Sequence, residues 1–395
     1  MGKLFNKARV ANLALLLLSV LIGLPILEGL ARLLPEEMFA HNTALKGDPL
    51  LGVPLTNADV KADFPDQPKP ADVYRIVVLG DSHTVSVRNE ASYAEVLQGL
   101  LNKDDLKGKR VEVYNAGAPG HSHYQYYLTL KERLMGYRPD LVIVGFYIGN
   151  DFLDLYRNDD RPSLFFDGRQ FVHKAPEFLK YTDPDHSDWL QSSRVARLAQ
   201  LLLQRTVGYQ LSRVKVLWAV GEQSGEGYAA AARYLYTITR GYFVNQHIFR
   251  QSMNQILFLK SFPREEVVMD RVNRRVTELM KELAERDQIR LLYVPIPTKL
   301  QIEPDSDPVV LDKILRVCGF DRDVLSIEDR LNESFVSLLK EHGIESLDVR
   351  GVLREKAKAG VLYDATYHLT ETAHAVIGKA LYEVVKPIVQ SGPRN

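Results

Sequence analysis

The sequence predicts an α/β protein built around a parallel β-sheet. From Tyr74 onwards, short apolar runs alternate with longer stretches whose apolar residues recur at helical spacing. Three of these runs end abruptly in small polar residues. Strands that alternate with helices favour right-handed βαβ crossovers, which make neighbouring strands parallel. A composition of 46% hydrophobic residues over a length of 395 residues supplies ample core for such a domain.

The predicted strands are apolar runs bounded by turn-forming residues. They are Arg75–Leu79, Val111–Tyr114, Leu141–Tyr147, Arg290–Pro295 and the short Ser346–Val349. The predicted helices are Ser92–Asn102, Tyr124–Gly136, Arg264–Arg286, Asp323–His342 and Thr370–Gln390. Ser92 is predicted as an N-cap, because its hydroxyl can accept a hydrogen bond from a backbone N–H that the first helical turn leaves free.

The alternation stops between residues 154 and 263, a segment too long for a simple sheet connection. It contains aromatic-rich loops and helical patterns such as Ser193–Gln204 and Tyr228–Ile238. We interpret it as a mainly helical insertion. Because it leaves from the end of the third strand, it emerges beside the predicted site. There it forms either a lid or substrate wall, or a structural cap without substrate contact.

The N-terminus has the pattern of a membrane signal anchor. Lys3, Lys7 and Arg9 precede residues 10–27, which carry no charge and would span about 27 Å as a helix, close to the hydrocarbon thickness of a bilayer. A cleavable signal peptide is the main alternative, but no clear small-x-small cleavage site follows the apolar run. The basic residues before the span predict that the body of the protein lies on the periplasmic or extracellular side.

The chain therefore divides into three parts. Residues 1–34 comprise the cytoplasmic tip and the predicted transmembrane helix, residues 35–72 a linker, and residues 73–395 the folded domain with its insertion at about 154–263. The linker is rich in proline, which favours an extended stalk.

Composition and motifs argue against several function classes. Fifty basic residues balance fifty acidic ones, so the strongly basic character expected of a nucleic-acid-binding protein is missing. The single cysteine, Cys318, leaves no internal disulfide and no cysteine-based zinc site. The sequence contains no Walker loop, Gly-x-Gly-x-x-Gly fingerprint or Gly-x-Ser-x-Gly elbow, so we expect neither a nucleotide cofactor nor an α/β-hydrolase fold. No metal or other cofactor is expected.

Ser82 is the candidate nucleophile. It follows the first predicted strand in Gly80-Asp81-Ser82, and the next two strands end in Asn115-Ala116-Gly117 and Gly149-Asn150-Asp151. Parallel strands end at the same edge of a sheet and lie about 4.8 Å apart, so these loops can converge on one substrate atom. A serine at that edge needs a base to take its proton and donors aimed at the oxyanion that forms.

The sequence offers both kinds of group. His368, just before the last predicted helix, is the candidate base, and Asp364 is a nearby carboxylate that can orient its imidazole. The backbone N–H groups of Ser82 and Gly117 and the side-chain amide of Asn150 are the candidate oxyanion donors. Together these residues would fill the roles of a Ser-His-Asp triad.

Four sequence blocks resemble the SGNH/GDSL hydrolase family. They are Gly80-Asp81-Ser82, Gly117 within Asn-x-Gly-x-x-Gly, Gly149-Asn150-Asp151, and the late loop with Asp364 and His368. The blocks come in the family's order and span almost the whole folded domain apart from the insertion. The resemblance implies a flavodoxin-like three-layer α/β/α fold. It implies that Ser82 is the nucleophile, Asp364 and His368 the acid and base, and Ser82, Gly117 and Asn150 the oxyanion hole.

The acid departs from the family's spacing. The family usually places it three residues before the histidine and sometimes two, whereas Asp364 stands four residues before His368, with Ala365 and Thr366 following it. Either the loop bulges to bring Asp364 against the imidazole, or the enzyme works as a Ser–His dyad whose ring is oriented by a backbone carbonyl.

Some of these residues also fit other interpretations. Asp81, His83 and Asn150, with another histidine, would suit a two-metal phosphatase, but the Gly-Asp metal loop of that class is missing and Asp151 stands where it has histidine. In the hydrolase interpretation, Asp81 and Asp151 support the site. His121-Ser122-His123 would be either metal ligands or polar residues at a helix start, and we prefer the latter.

We therefore expect a membrane-anchored serine esterase outside the cytoplasm that hydrolyses acyl esters, such as O-acetyl groups on envelope or exported carbohydrate. The same residues would serve an O-acyltransferase that moves the acyl group to a polysaccharide. A catalytically weak binding or assembly protein on the same fold is the other alternative. The expected partners are an acylated carbohydrate and the membrane, and not nucleic acid.

Overall fold

The computed structural model describes Ser19, Gly23, residues 25–29, Arg32, and residues 69–86, 90–155, 163–166, 169–174 and 227–392. The predicted signal anchor and linker lie almost entirely outside these residues and stay predictions. Within the described part of the chain, no helix has the length and apolar character needed to cross a bilayer.

A parallel sheet forms the centre of the domain, as predicted. The strands in the described ranges are β1 (Val73–Gly80), β2 (Arg110–Asn115), β3 (Leu141–Tyr147), β4 (Ser163–Phe166), β5 (Phe171–Lys174), β6 (Arg290–Ile296) and β7 (Glu345–Ser346). The central sheet has the order β2-β1-β3-β6-β7, and all its neighbouring strands are parallel. Apart from the β4–β5 hairpin, which is a separate antiparallel pair, this is the flavodoxin-type order 2-1-3-4-5.

Helices connect and cover the strands. The described α-helices are α1 (Ser82–Val85), α2 (Tyr93–Leu101), α3 (His123–Thr129), α4 (Asp151–Asp154), α5 (Gly227–Ile248), α6 (Asn254–Ser261), α7 (Glu265–Arg286), α8 (Lys299–Ile302), α9 (Pro308–Cys318), α10 (Ser326–Glu341), α11 (Arg350–Ala357) and α12 (Glu371–Ser391). Ser92 caps α2 in a capping box with Glu95, as predicted.

Both faces of the central sheet are buried. Ile76 and Val78 of β1 belong to one core cluster, with apolar residues of α2 and α12. Val77 and Leu79 belong to the other, with apolar residues of α3, α7 and α10. Successive residues of a strand point to opposite faces, so burial on both sides requires an unbroken apolar run rather than an alternating one. The sheet therefore lies between two helical layers.

The structure corrects several predicted elements. The helix predicted over Tyr124–Gly136 is α-helical only to Thr129 and continues as a π-helical turn, Leu130–Leu134. The last strand, predicted at Ser346–Val349, is the two-residue β7, because the chain turns away into α11. Helices α8, α9 and α11 had not been predicted, although the apolar residues of α9 recur at helical spacing, with Leu311, Ile314 and Leu315 buried.

The insertion is mainly helical in its described part. It contains the β4–β5 hairpin, α5, a π-helical turn at Phe249–Met253, and α6. The predicted helix Tyr228–Ile238 falls within α5, and the predicted helix Ser193–Gln204 lies outside the described residues. Helix α5 breaks at Asn245, whose side-chain oxygen accepts from the N–H groups of His247 (2.9 Å) and Ile248 (3.1 Å) and so starts a new helical turn.

Phe335 of α10 tests the packing beneath the sheet. Its ring is 1% exposed and stacks on Phe146 at a centroid distance of 4.0 Å. We expect Phe335→Ala to lower the free energy of unfolding by about 3–5 kcal/mol, because it removes buried apolar contacts and leaves a cavity. Urea unfolding measures this. Val267→Ala, at a position 62% exposed, is the control and should change stability by no more than about 0.5 kcal/mol. Equal effects of the two substitutions would contradict the core assignment.

Candidate active site

Ser82 lies where β1 leaves the sheet. Helix α1 begins at Ser82 directly after Asp81, whose side-chain oxygen Oδ1 accepts from the His83 N–H at 2.9 Å and so caps the helix. Asp81 is buried, and Ser82 is half-buried at the start of the turn. The first N–H groups of a helix have no partner within it, so the Ser82 N–H faces outward from the turn.

The structure brings Ser82 and His368 together across 286 residues of sequence, with Ser82 Oγ 3.1 Å from His368 Nε2. His368 stands in a loop closed by the bridge between Tyr363 and Leu369, just before α12. A hydroxyl at this distance can donate its proton to an unprotonated Nε2.

The other ring nitrogen of His368 meets a hydroxyl. Thr366 Oγ1 lies 2.9 Å from His368 Nδ1 and 2.7 Å from Asp364 Oδ1. If Nε2 accepts from Ser82, Nδ1 carries the hydrogen and donates it to Thr366, whose own hydroxyl hydrogen points to Asp364. Neither predicted arrangement of the loop, with Asp364 against the ring or a carbonyl behind it, describes this chain of bonds. The Thr366 hydroxyl bridges the Asp364 carboxylate and the His368 imidazole.

Backbone geometry explains the extra residue in this loop. Asp364 Oδ1 also accepts from the N–H groups of Thr366 (2.6 Å) and His368 (3.1 Å), so the loop wraps around the carboxylate. Tyr367 closes the turn in the left-handed region, at φ 67°. A bulky residue in that region is strained by roughly 1–3 kcal/mol, and such strain persists where the surroundings over-determine it. Here the buried Tyr367 ring lies under the Lys299 ammonium, 4.7 Å from the ring centre.

His83 packs behind the base. Its ring nitrogens lie 3.2 Å from Asp81 Oδ2 and 3.2 Å from the Tyr367 carbonyl oxygen. The ring stacks on Tyr147 at 3.6 Å and on His368 at 4.9 Å. His83 thus ties the serine turn to the histidine loop and fixes the plane of the His368 ring.

The histidines considered as metal ligands have partners within the protein. Besides His83, the buried His123 lies 3.0 Å from Asn273 Oδ1 and 2.9 Å from the Tyr293 hydroxyl. In the part of the chain that the structure covers, no three His, Cys, Asp or Glu side chains are grouped as a metal site would require. The two-metal interpretation therefore has no ligand set among these residues.

Burial sets the protonation state of the base. Burial first, and then the neighbouring His83, lower the pKa of His368 to about 4, against the opposing charges of Asp81 and Asp364. His247 of the insertion also lowers it. At neutral pH the imidazole is uncharged, which is the form that can accept the proton of Ser82.

The predicted oxyanion donors differ in availability. The Gly117 N–H donates to Asn115 Oδ1 at 3.0 Å, and the Asn115 amide in turn holds the Thr84 carbonyl oxygen. The sequence analysis had counted the Gly117 N–H as an available oxyanion donor. Asn150 directly precedes α4, and its Oδ1 is buried without a hydrogen-bond partner among the described residues. Asn150 and the Ser82 N–H are therefore the donor candidates that are not engaged in this way.

Asp151, predicted as a supporting residue, lies behind the loop that carries Asn150. Its Oδ2 accepts from the Tyr147 N–H (2.9 Å) and the Tyr126 hydroxyl (3.0 Å). Burial and the charge of Asp81 raise the pKa of the Asp151 carboxyl well above its usual value. These contacts fix the turn from β3 into α4 and leave the carboxyl away from solvent.

Sequence reasoning missed two residues at this site. Thr366 had a signal, because it stands two residues before His368, a spacing the family sometimes uses for its acid. Gln251, whose Nε2 lies 3.5 Å from His368 Nε2, had none, because it comes from a π-helical turn of the insertion. The described part of the insertion thus reaches the candidate site.

Comparison with known proteins gives only remote similarities. No family model and no curated protein matches the chain. An acetylxylan esterase from Geobacillus stearothermophilus, solved as a catalytic mutant, matches with a TM-score of 0.38 and 11% identity, covering 78% of this chain and 93% of that one. The acetyl xylan esterase AlAXEase matches at 0.36 and 11%, covering 79% and 99%. An alpha/beta hydrolase enzyme from the metagenome of Lake Arreo, Spain, matches at 0.34 and 13%, covering 80% and 96%. Because these values are low, the similarities assign neither a reaction nor a substrate to this chain.

The depressed pKa of His368 predicts the pH profile. Protonated His368 cannot take the proton of Ser82, so kcat/KM for an activated acetyl ester should stay level from neutral pH down to about pH 5 and fall as the pH approaches the value of about 4. Initial rates over this range measure it. An inflection near the ordinary histidine value of about 6.5 would contradict the burial argument.

Thr366→Val tests the hydroxyl between base and acid. Valine keeps the shape but leaves the Nδ1 hydrogen of His368 without its acceptor, so we expect kcat to fall roughly 10²–10⁴-fold. Thr366→Ser restores the hydroxyl and should retain most of the activity. Turnover by the valine variant at the wild-type rate would show that the hydrogen bond between Thr366 and His368 does not contribute to catalysis.

Proposed function

We propose that this protein is a serine esterase that cleaves acyl esters through Ser82, His368, Thr366 and Asp364. The observation that carries the proposal is the 3.1 Å contact between Ser82 Oγ and His368 Nε2. It joins a hydroxyl to a base held neutral by burial, at the edge of a parallel sheet where ligands bind. Behind His368, the Nδ1 hydrogen is donated to Thr366 Oγ1 and the Thr366 hydroxyl hydrogen to Asp364 Oδ1.

In the first half of the reaction, Ser82 Oγ attacks the carbonyl carbon of the ester while its proton passes to His368 Nε2. The carbonyl oxygen becomes an oxyanion, which the Ser82 N–H and the Asn150 side chain stabilise. The bond from carbon to the alcohol oxygen then breaks, and that oxygen takes the proton from Nε2. The acyl group remains on Ser82.

In the second half, water attacks the acyl-enzyme. His368 Nε2 takes a proton from the water, and the bond between Ser82 Oγ and the acyl carbon breaks as Oγ regains that proton. Thr366 and Asp364 stay in place during both halves. They keep the Nδ1 hydrogen of His368 in position and stabilise the imidazolium that forms transiently.

The wider biological setting is also part of this proposal. The four SGNH-like sequence blocks support an acyl ester as the substrate. The proposed ester is one of carbohydrate, such as an O-acetyl group on an envelope or exported glycan. The basic N-terminus followed by residues 10–27 supports a membrane-anchored protein whose catalytic domain faces the periplasm or cell exterior.

Acyl transfer to a sugar is the second candidate. His368 Nε2 would take the proton from a sugar hydroxyl as readily as from water, and the π-helical turn of the insertion places a polar side chain beside that nitrogen. The two reactions share the acyl-enzyme and differ only in the incoming oxygen.

The test of the proposed function uses the full chain in detergent with 4-nitrophenyl acetate. We expect wild-type turnover, its loss in Ser82→Ala, and a decrease in kcat on the order of 10²–10³-fold in Asn150→Ala, because an oxyanion donor is removed. Ser346→Ala, at an exposed serine of β7, is the matched control and should behave as wild type. An inactive wild type, or an active Ser82→Ala variant, would favour a binding or assembly protein instead.

A further inference from the structure

A π-helical turn of the insertion lies against the candidate site. Residues Phe249–Met253 form this turn between α5 and α6, with Gln251 at its middle. Such turns are rare and occur frequently at functional sites. The proposed reaction assigns no role to this segment.

The position of Gln251 is fixed by the loop after β3. The Tyr147 hydroxyl donates to the Gln251 carbonyl oxygen at 3.0 Å, and a Cβ at Gly149 would lie only 1.9 Å from that oxygen, so the backbones are in close contact. Gln255 donates to the Ile148 carbonyl oxygen (2.7 Å) and accepts from the Leu153 N–H (3.2 Å). The turn is therefore attached to the loop that carries Asn150.

The Gln251 side chain points at the proton-transfer atom. Its Nε2 lies 3.5 Å from His368 Nε2, which is also the nitrogen 3.1 Å from Ser82 Oγ. Its Oε1 is buried and has no hydrogen-bond partner among the described residues. An amide oxygen buried without a partner is costly, and a bound ligand group can remove that cost. His247, four residues earlier in the insertion, also lowers the pKa of His368.

The chemistry identifies which ligand atom belongs there. His368 Nε2 must give its proton to the departing alcohol oxygen and later take one from the incoming oxygen. Both oxygens therefore have to come within hydrogen-bond distance of Nε2, on the side where Gln251 lies. A carboxamide offers an N–H donor and a C=O acceptor, which suits an aliphatic hydroxyl that alternates between donating and accepting.

We propose that Gln251 binds the alcohol oxygen of the substrate: the leaving sugar hydroxyl in the first half of the reaction and the incoming hydroxyl in the second. This assignment rests on the proposed esterase function and makes Gln251 a specificity residue supplied by the insertion. It favours esters of aliphatic, carbohydrate-type alcohols over aryl esters, whose leaving group needs neither a proton nor a hydrogen-bonding partner.

The experiment compares two acetate esters that differ in the chemical class of their leaving group. 4-Nitrophenyl acetate releases a stable phenolate, whereas an acetylated monosaccharide such as xylose tetraacetate releases an aliphatic alkoxide that must be protonated. We expect Gln251→Leu to lower kcat/KM for the sugar ester by about tenfold to a hundredfold and to leave the aryl ester nearly unchanged. Gln246→Leu, an exposed glutamine of the same insertion, is the control and should change neither value.

The ratio of the two kcat/KM values is the readout, because it does not depend on how much of a variant is correctly folded. Equal losses on both esters would assign Gln251 a purely structural role and overturn the proposal, as would no loss on either. These outcomes differ from failure of the esterase function itself, which would appear as no turnover by the wild type or as full turnover by Ser82→Ala.

Discussion

The shared carboxyl edge of the parallel strands is the constraint on which the site depends. β1 pairs with β2 on one side and β3 on the other, so Gly80 lies beside Gly145 and Val78 beside Asn115. This register by itself places the loops after the three strands next to one another. The buried apolar runs keep the strands in place, while the polar loops beyond them need only extend a few residues to meet.

Rings and carboxyls connect these loops into one unit. His83 joins the serine turn to the histidine loop, and Asp151 fixes the turn after β3. Each is buried and hydrogen-bonded, so the side chains next to His368 are fixed by contacts within the protein. The same burial keeps the pKa of His368 low, so the same contacts set both the position and the charge state of this imidazole.

Sequence patterns predicted the central sheet more completely than they predicted the contacts of the candidate site. The unbroken apolar runs predicted β1, β2, β3 and β6 to within two residues, because a strand buried on both faces permits few other residue types. The contact between Ser82 and His368 followed from motif order. The hydrogen bonds of Thr366 with His368 and Asp364, and the bond from Gly117 to Asn115, could not be predicted. Each depends on backbone torsions that residue types do not specify. The position of Gln251 beside His368 was not predictable from sequence, because the register of a π-helical turn arises from tertiary packing.

The late position of His368 has a consequence for biosynthesis. Ser82 directly follows β1, the N-terminal strand of the central sheet, whereas His368 comes 286 residues later, immediately before α12. Until the segment that carries His368 has been made, Ser82 lacks the imidazole that lies 3.1 Å from its hydroxyl in the folded protein. Under the proposed function, completion of the fold and activation of Ser82 therefore coincide, so a partly made chain is not acylated at Ser82 while it is translated.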